Sequence, residues 1–404
     1  MSYNNYSSRP QRRTSYGGNS RFRGNGGKSR NMVKGRGQYI DPAKFVRVAE
    51  FKEEEKYTPV HTFADFNAAQ LIKDNLAAKG YETPSPIQDQ TIPLGLEGKD
   101  VIGIANTGTG KTAAFAVPVL NSLLSNPHSR ALIIAPTREL AQQIEDELRS
   151  IAKNSGLFGV LLIGGTPMGP QLRDLRSKPR VVIGTPGRIK DHLERGTLHL
   201  ATFDQIVLDE VDRMLDMGFL PDVRFILDNL KAERQSYFFS ATMDSKVRTL
   251  IETFSNDPVT VSVKTSDTSD NVHQNVIHYT TREDKIDKLH DALIQDEVKK
   301  VIIFDETQRS VERLAQDLMS RGFATDAIHG GKSQGQRQRA LNRFKASDID
   351  ILVATDVAAR GIDVKDITHV INYAIPQTYE DYTHRVGRAG RAGAIGHALT
   401  FVNK

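Results

Sequence analysis

The hydrophobic pattern of the chain changes character three times. Through residues 1–38 there is no period: single apolar residues are scattered among Gly, Asn, Ser and Arg. From about Thr62 to Val263, short continuous apolar runs alternate with helix-like stretches; the runs are VIGI at 101, ALIIA at 131, VVIG at 181, IVLDE at 206 and YFFSAT at 237. Runs of that length suit strands buried on both faces of a parallel sheet. The polar stretch from Lys264 to Asn271 then breaks the pattern and reads as an interdomain linker. The alternation resumes with VIIF at 301, ILVATD at 351 and HVINY at 369, separated by amphipathic segments such as Val311 to Met319. The pattern therefore predicts two consecutive α/β units. The expected boundaries are a disordered tail over 1–40, an extension over 41–61, a first domain over 62–263, a linker over 264–272 and a second domain over 273–404.

Composition narrows the class. A chain of 404 residues with 38% hydrophobic and 25% charged residues is ordinary for a soluble globular protein. The lack of cysteine excludes disulfides, thiol catalysis and thiolate metal sites. The first residues have no apolar core of the kind a secretory signal needs. Thr112 to Ser129 and Asn154 to Leu172 lack charged residues, but Gly, Pro, Asn and Ser interrupt both, so neither suits a membrane span. A cytoplasmic protein is expected.

Charge is unevenly distributed. Residues 1–38 carry nine Arg or Lys and no Asp or Glu, so the net charge of +5 leaves −4 (5 − 9) for the remainder. With Tyr3, Tyr6, Tyr16 and Phe22 interspersed, the tail reads either as a solubilising spacer or as an RNA-contacting arm. In the second case arginines neutralise phosphate and rings stack on unpaired bases.

The chemistry begins at Val101 to Thr112, VIGIANTGTGKT, where an apolar strand runs into a glycine-containing loop that should open a helix. Backbone N–H groups across Thr107, Gly108, Thr109 and Gly110 suit phosphate oxygens. Lys111 reaches the β and γ phosphates, and the Thr112 hydroxyl suits Mg²⁺. The loop departs from the strict phosphate-binding pattern in having Ala105 at its first position. A second acidic strand end is then needed for the metal. Asp209 and Glu210 supply it after Ile206, Val207 and Leu208, with Asp209 as metal holder and Glu210 orienting and deprotonating the attacking water. Alone, that dipeptide reads equally as a solvated strand end. Near the end of the second unit, HRVGRAGR from His384 to Arg391 offers Arg388 and Arg391 as cations for the transferring phosphoryl group, or equally a phosphate or RNA patch.

These stretches occur together with GYETPSPIQ ending at Gln88, PTRELA from Pro136, Gly164-Gly165, TPGR from Thr185 and SAT from Ser240. HGGKSQGQR from His329 and ATDVAARGID from Ala354 complete the set. From Phe63 to Val402 the chain resembles the DEAD-box ATP-dependent RNA helicases. The resemblance implies two tandem RecA-like domains, each a mainly parallel sheet flanked by helices, and RNA-stimulated ATP hydrolysis coupled to domain closure and local duplex unwinding. It implies that Gln88 reads the adenine with Phe63 stacking nearby, and that Asp363 reaches the ribose. Asp212, Ser240, Thr242 and His384 would couple the nucleotide site to closure. RNA would be held by Arg138, Gly165, Thr185 and Arg188 on the first domain and by Gln334, Arg337 and Thr355 on the second. Backbone contacts of this kind carry no sequence information directly, so weak RNA selectivity is expected. A monomeric core is expected as well.

Three departures from the family accompany the resemblance. Val211 stands where the family has Ala, giving Asp-Glu-Val-Asp; its side chain should point away from Asp209 and Glu210 and be absorbed by repacking. Asp305 and Glu306 stand where an apolar residue and Asn are common, and would weaken RNA binding or point to solvent. The chain stops at ALTFVNK, where relatives usually continue into a closing helix. Two other functions compete. A processive DNA translocase would lack the adenine-reading Gln88, and a non-catalytic RNA clamp would have lost Lys111, Glu210 or Arg388.

Overall fold

The computed structural model describes residues 40–49, 57–106, 108–263, 271–359, 364, 366–390 and 394–404. Thr107, Asp363, Arg391, the basic tail and most of the expected linker lie outside the described residues. The described chain forms two lobes, each built on one parallel sheet.

In the first lobe seven strands are arranged in the order β3-β4-β2-β5-β6-β1-β7. They are β1 (Val101–Ile104), β2 (Ala131–Ile134), β3 (Gly159–Leu162), β4 (Val181–Gly184), β5 (Gln205–Leu208), β6 (Gln235–Ser240) and β7 (Val259–Ser262). Every residue of β2, β4 and β5 is buried. Two separate apolar layers explain this, because alternate side chains feed opposite faces of the sheet. Ile133, Ile183 and Val207 pack with Phe115 and Ile144 on one face, whereas Leu132, Val182 and Ile206 pack with Ile189 and Phe238 on the other.

The second lobe has six strands in the order β10-β11-β9-β12-β13-β8. They are β8 (Val272–Tyr279), β9 (Val301–Phe304), β10 (Thr325–Ile328), β11 (Ile351–Ala354), β12 (His369–Asn372) and β13 (Gly396–Asn403). The same logic divides Ile302 and Leu352 from Ile303 and Val353 across this sheet. Two consecutive parallel-sheet α/β domains are thus present, as the alternation predicts.

Two boundaries shift. Val272, expected in the linker, begins β8 and is fully buried in the second-lobe core. The expected extension over 41–61 is divided between the lobes. Phe45 is buried among second-lobe residues, and Tyr57, Val60 and His61 bond to Asp89 of the first. Among the described residues no helix is long and apolar enough to cross a membrane.

Candidate active site and nucleic-acid interface

β1 ends at Ile104, and the chain turns through Gly108 and Gly110 into the helix Lys111–Ser125. Both glycines have positive φ, 85° and 87°, which a side chain would oppose. A Cβ on Gly110 would also push the Gln88 amide out of its place against the loop. Lys111 is buried, and its Nζ donates to the Ala105 carbonyl at 3.0 Å, so the lysine lies back along the loop it serves.

Gln88 sits in the first turn of the helix Pro86–Leu96. Its Oε1 accepts from the Ser85 amide (2.9 Å) and its Nε2 donates to the Gly110 carbonyl (3.0 Å). Ser85 Oγ also donates to the Thr109 carbonyl at 2.7 Å. The amide that the resemblance assigns to adenine therefore also grips the phosphate loop. Gln88, Gly108, Thr109, Gly110, Lys111, Thr112, Asp209, Glu210 and Arg388 all line one cavity of about 1130 Å³. Phe63 does not: it is 4% exposed and packs edge-on against Tyr81 at 5.3 Å, and it is Tyr81 that lines the cavity. Tyr81 was not singled out from sequence, although it stands within the quoted stretch GYETPSPIQ.

The acidic strand end is strained. Glu210 has φ 53° and ψ 55°, a left-handed conformation in a non-glycine residue, and it starts the helix Val211–Asp216. Asp209 is buried; its Oδ1 accepts from the Glu210 amide at 3.0 Å. Burial pushes the Asp209 carboxyl above its ordinary value, the Lys111 ammonium opposes that shift, and the Glu210 charge adds to it. Glu210 Oε2 accepts from Arg213 Nη1 at 2.9 Å in a buried ion pair. Val211 is fully buried and joins Leu208, Met214 and Phe238 in the apolar layer, away from the cavity.

Asp212 and the Ser240 segment are joined directly. The Asp212 amide donates to Ser240 Oγ (3.3 Å), and Asp212 Oδ2 accepts from the amides of Ala241 (3.0 Å) and Thr242 (2.9 Å). From the second lobe, the helix Tyr379–Val386 carries His384 and is followed by Arg388, whose Nε donates to the His384 carbonyl at 3.3 Å. The intervening Arg385 plays another part: it ion-pairs with Asp356 and donates to the Ala374 carbonyl at 2.7 Å.

A second cavity, about 430 Å³, brings together Arg138, Thr185, Arg188 and Arg337. The Arg138 guanidinium lies over Gly164-Gly165, and a Cβ on Gly165 would collide with its Nη1. Burial, then the neighbouring Arg337 charge, holds the Arg138 guanidinium below its ordinary value. Arg188 Nη1 donates to the Thr166 carbonyl (3.2 Å). The residue overlooked in sequence is Glu139. It is 2% exposed, pairs across the lobes with Arg337 Nη2 at 2.8 Å, and accepts from Gln334 Nε2 at 3.3 Å. Gly165, Gln334 and Thr355 do not line this cavity. Thr355 directly follows β11, its amide donating to the Ile328 carbonyl at 3.3 Å. Of the two acidic residues at the end of β9, Glu306 is exposed to solvent, one of the courses expected. Asp305 is buried beside Lys285, which lies between the rings of Tyr279 and Tyr373 at 4.5 and 4.0 Å.

Comparison with known proteins agrees with this geometry. Residues 85–250 match the DEAD/DEAH box helicase family and residues 284–393 the helicase conserved C-terminal domain. The chain is 44% identical over 343 residues to the DEAD-box ATP-dependent RNA helicase CshA of Bacillus subtilis, across 84% of this chain and 69% of that one. It is 45% identical to the CshA helicase of Geobacillus kaustophilus, across 84% of this chain and 73% of that one. Among solved structures, S. cerevisiae Dbp5 bound to RNA and ADP BeF3 is similar at TM-score 0.74 and 28% identity, covering 85% of this chain and 90% of that one. Mss116p bound to ssRNA and AMP-PNP is similar at TM-score 0.77 and 29% identity, covering 88% and 77%. With the phosphate loop, the acidic strand end and the second-lobe arginine lining one cavity, the chain belongs to the DEAD-box family of ATP-dependent RNA helicases.

Proposed function

We propose that ATP binds in the larger cavity with its phosphates on the loop from Gly108 to Thr112, and that RNA lies along the arginine-lined cavity joining the lobes. The observation that carries this reading is the meeting of Lys111, Asp209, Glu210 and Arg388 from two lobes around one space. Lys111 draws charge from the β and γ phosphates. Glu210, with one carboxylate oxygen held by Arg213, orients the attacking water and takes its proton as the oxygen–phosphorus bond forms. The terminal phosphoryl group leaves ADP, and Arg388 stabilises the charge that develops.

The residues present fit a magnesium ion. Asp209 is a buried carboxylate whose burial disfavours its charge, and the Thr112 hydroxyl lines the same space. Asp209 and Thr112 would hold Mg²⁺, which supplies charge neutralisation on the phosphates.

In this reading RNA is taken through its backbone, with little sequence preference, by a monomeric cytoplasmic enzyme. The Val211 variant leaves the chemistry intact, because its side chain belongs to the core. The deciding experiment measures RNA-stimulated ATP hydrolysis and strand displacement by the wild-type chain and by Glu210→Gln. The variant is expected to retain ATP binding while turnover drops by roughly two or more orders of magnitude. Wild-type turnover in Glu210→Gln would remove the assigned base.

A further inference from the structure

The chain contacts the second lobe before it builds the first. Asp41 caps a single turn, Pro42–Phe45, by accepting from the Ala43 amide at 3.0 Å. The turn delivers Phe45, fully buried, to within 4.6 Å of the Tyr382 ring on the helix Tyr379–Val386. Arg47 then pairs antiparallel with Gln274 of β8 through both backbone amides, at 3.0 and 2.7 Å. The Gln274 side chain accepts from the Tyr382 hydroxyl at 2.8 Å, and the Lys44 ammonium stands 5.7 Å from the Tyr379 ring. Phe45, Gln274 and Tyr382 do not line the nucleotide cavity, yet the helix they hold ends just before Arg388, which does.

We propose that Phe45 is a positioning residue for Arg388, acting through Tyr382. The helix is eight residues long and cannot hold its place by itself. Arg385 fixes its C-terminal turn through Asp356 and Ala374. The preceding turn is seated by Tyr382 alone among its large buried side chains, and Phe45 completes that seat from a segment more than three hundred residues away. Removing the ring leaves a cavity into which the helix relaxes. Arg388 follows, because its guanidinium is tied to the His384 carbonyl of the same helix. A cation aimed at a transferring phosphoryl group tolerates only displacements well below about 1 Å, so a small shift costs turnover while the loop from Gly108 to Thr112 and Gln88, on the other lobe, still hold the nucleotide.

The inference rests on the reading of Arg388 given above, and the test separates the two. Full-length wild type, Phe45→Ala and Phe45→Leu are compared for kcat and KM for ATP at saturating RNA, and for amide hydrogen exchange in the nucleotide-free state. Phe45→Ala should lower kcat about tenfold or more and leave KM for ATP within about twofold. Phe45→Leu should recover most of the loss. Amides of Tyr382 to Arg388 should exchange about tenfold faster in Phe45→Ala, while those of Lys111–Ser125 are unchanged. Unchanged kcat in Phe45→Ala, or a rise in KM that accounts for the whole loss, overturns the positioning role; unchanged exchange overturns the seating itself. If Phe45→Ala does not fold, Phe45→Val carries the same comparison. Should the wild type hydrolyse no ATP, the helicase reading fails, and the exchange data still decide whether Phe45 holds the helix.

Discussion

Asp212 and Thr242 are joined twice: one carboxylate oxygen of Asp212 accepts both the amide of Thr242 at 2.9 Å and its hydroxyl at 3.1 Å. The acidic strand end after β5 and the loop after β6 therefore move as one body. Both strands are central in the sheet, and they are hydrogen-bonded neighbours. If the nucleotide site is coupled to closure as the resemblance implies, a change in how Asp209 and Glu210 are engaged would pass to residues 240–242 through these bonds.

Thr242→Ala removes one of the three bonds to that oxygen and keeps the two backbone ones. Stability should fall by only about 1 kcal/mol. ATP hydrolysis should stay within a few-fold of wild type while strand displacement per ATP falls more steeply. Parallel loss of both activities in paired assays would show that Thr242 serves the chemistry and not the coupling.

Val211→Ala trims a fully buried side chain in the apolar layer. The expected cost is about 1–3 kcal/mol in denaturant unfolding, with kcat changed less than about threefold. A large fall in turnover at an unchanged unfolding midpoint would place the residue in the site.

Glu139 is the buried carboxylate against Arg337, in a cavity also lined by Arg138 and Arg188. In the proposed reading, phosphate oxygens of RNA would compete with it for Arg337. In Glu139→Gln, RNA binding without nucleotide should tighten at low salt, and its logarithmic salt slope should steepen by about 0.7 for each phosphate gained. The slope is read from RNA titrations at several salt concentrations; an unaltered slope would leave Glu139 as a purely structural partner.

His369, His397 and His273 are register partners across β12, β13 and β8, with rings 4.7 and 5.4 Å apart. Burial, and then the neighbouring His397, lowers His369 to about 4. Between that value and the ordinary 6.5 the unfolded chain binds more protons, so stability is fully present above about pH 6.5 and is lost as pH falls toward 4. With solvent screening at the strand ends the loss should be on the order of 1–2 kcal/mol. His369→Asn should flatten the dependence of the unfolding midpoint on pH in that window.

The tail, with nine basic residues and no acidic one, is a proposed RNA arm. Deleting residues 1–38 should weaken RNA binding at low salt and flatten its salt dependence, with a slope of about −0.7 lost per phosphate contact. Turnover at saturating RNA should be nearly unchanged. Superimposable salt titrations of the full and shortened chains would leave the tail a spacer.

Sequence by itself determined the two α/β units, the central strands and the glycine loop that opens the helix Lys111–Ser125, because each of those is local. A strand buried on both faces must be written as a continuous apolar run, and a phosphate loop as a strand, glycines and a helix start in one stretch of chain. The strands it did not mark include β3, β7, β8 and β10, which are the sheet edges. Their outer sides are half solvated, so their burial is mixed and their apolar runs are broken. Only the tertiary structure decided the rest: Glu139 against Arg337, Tyr81 in place of Phe63 at the cavity, Asp305 turned toward Lys285, and Phe45 under the helix that precedes Arg388. Each of these pairs residues whose spacing in the chain carries no periodic signal. The energy that selects them, a satisfied buried charge or a filled cavity, arises only once distant elements have been packed together.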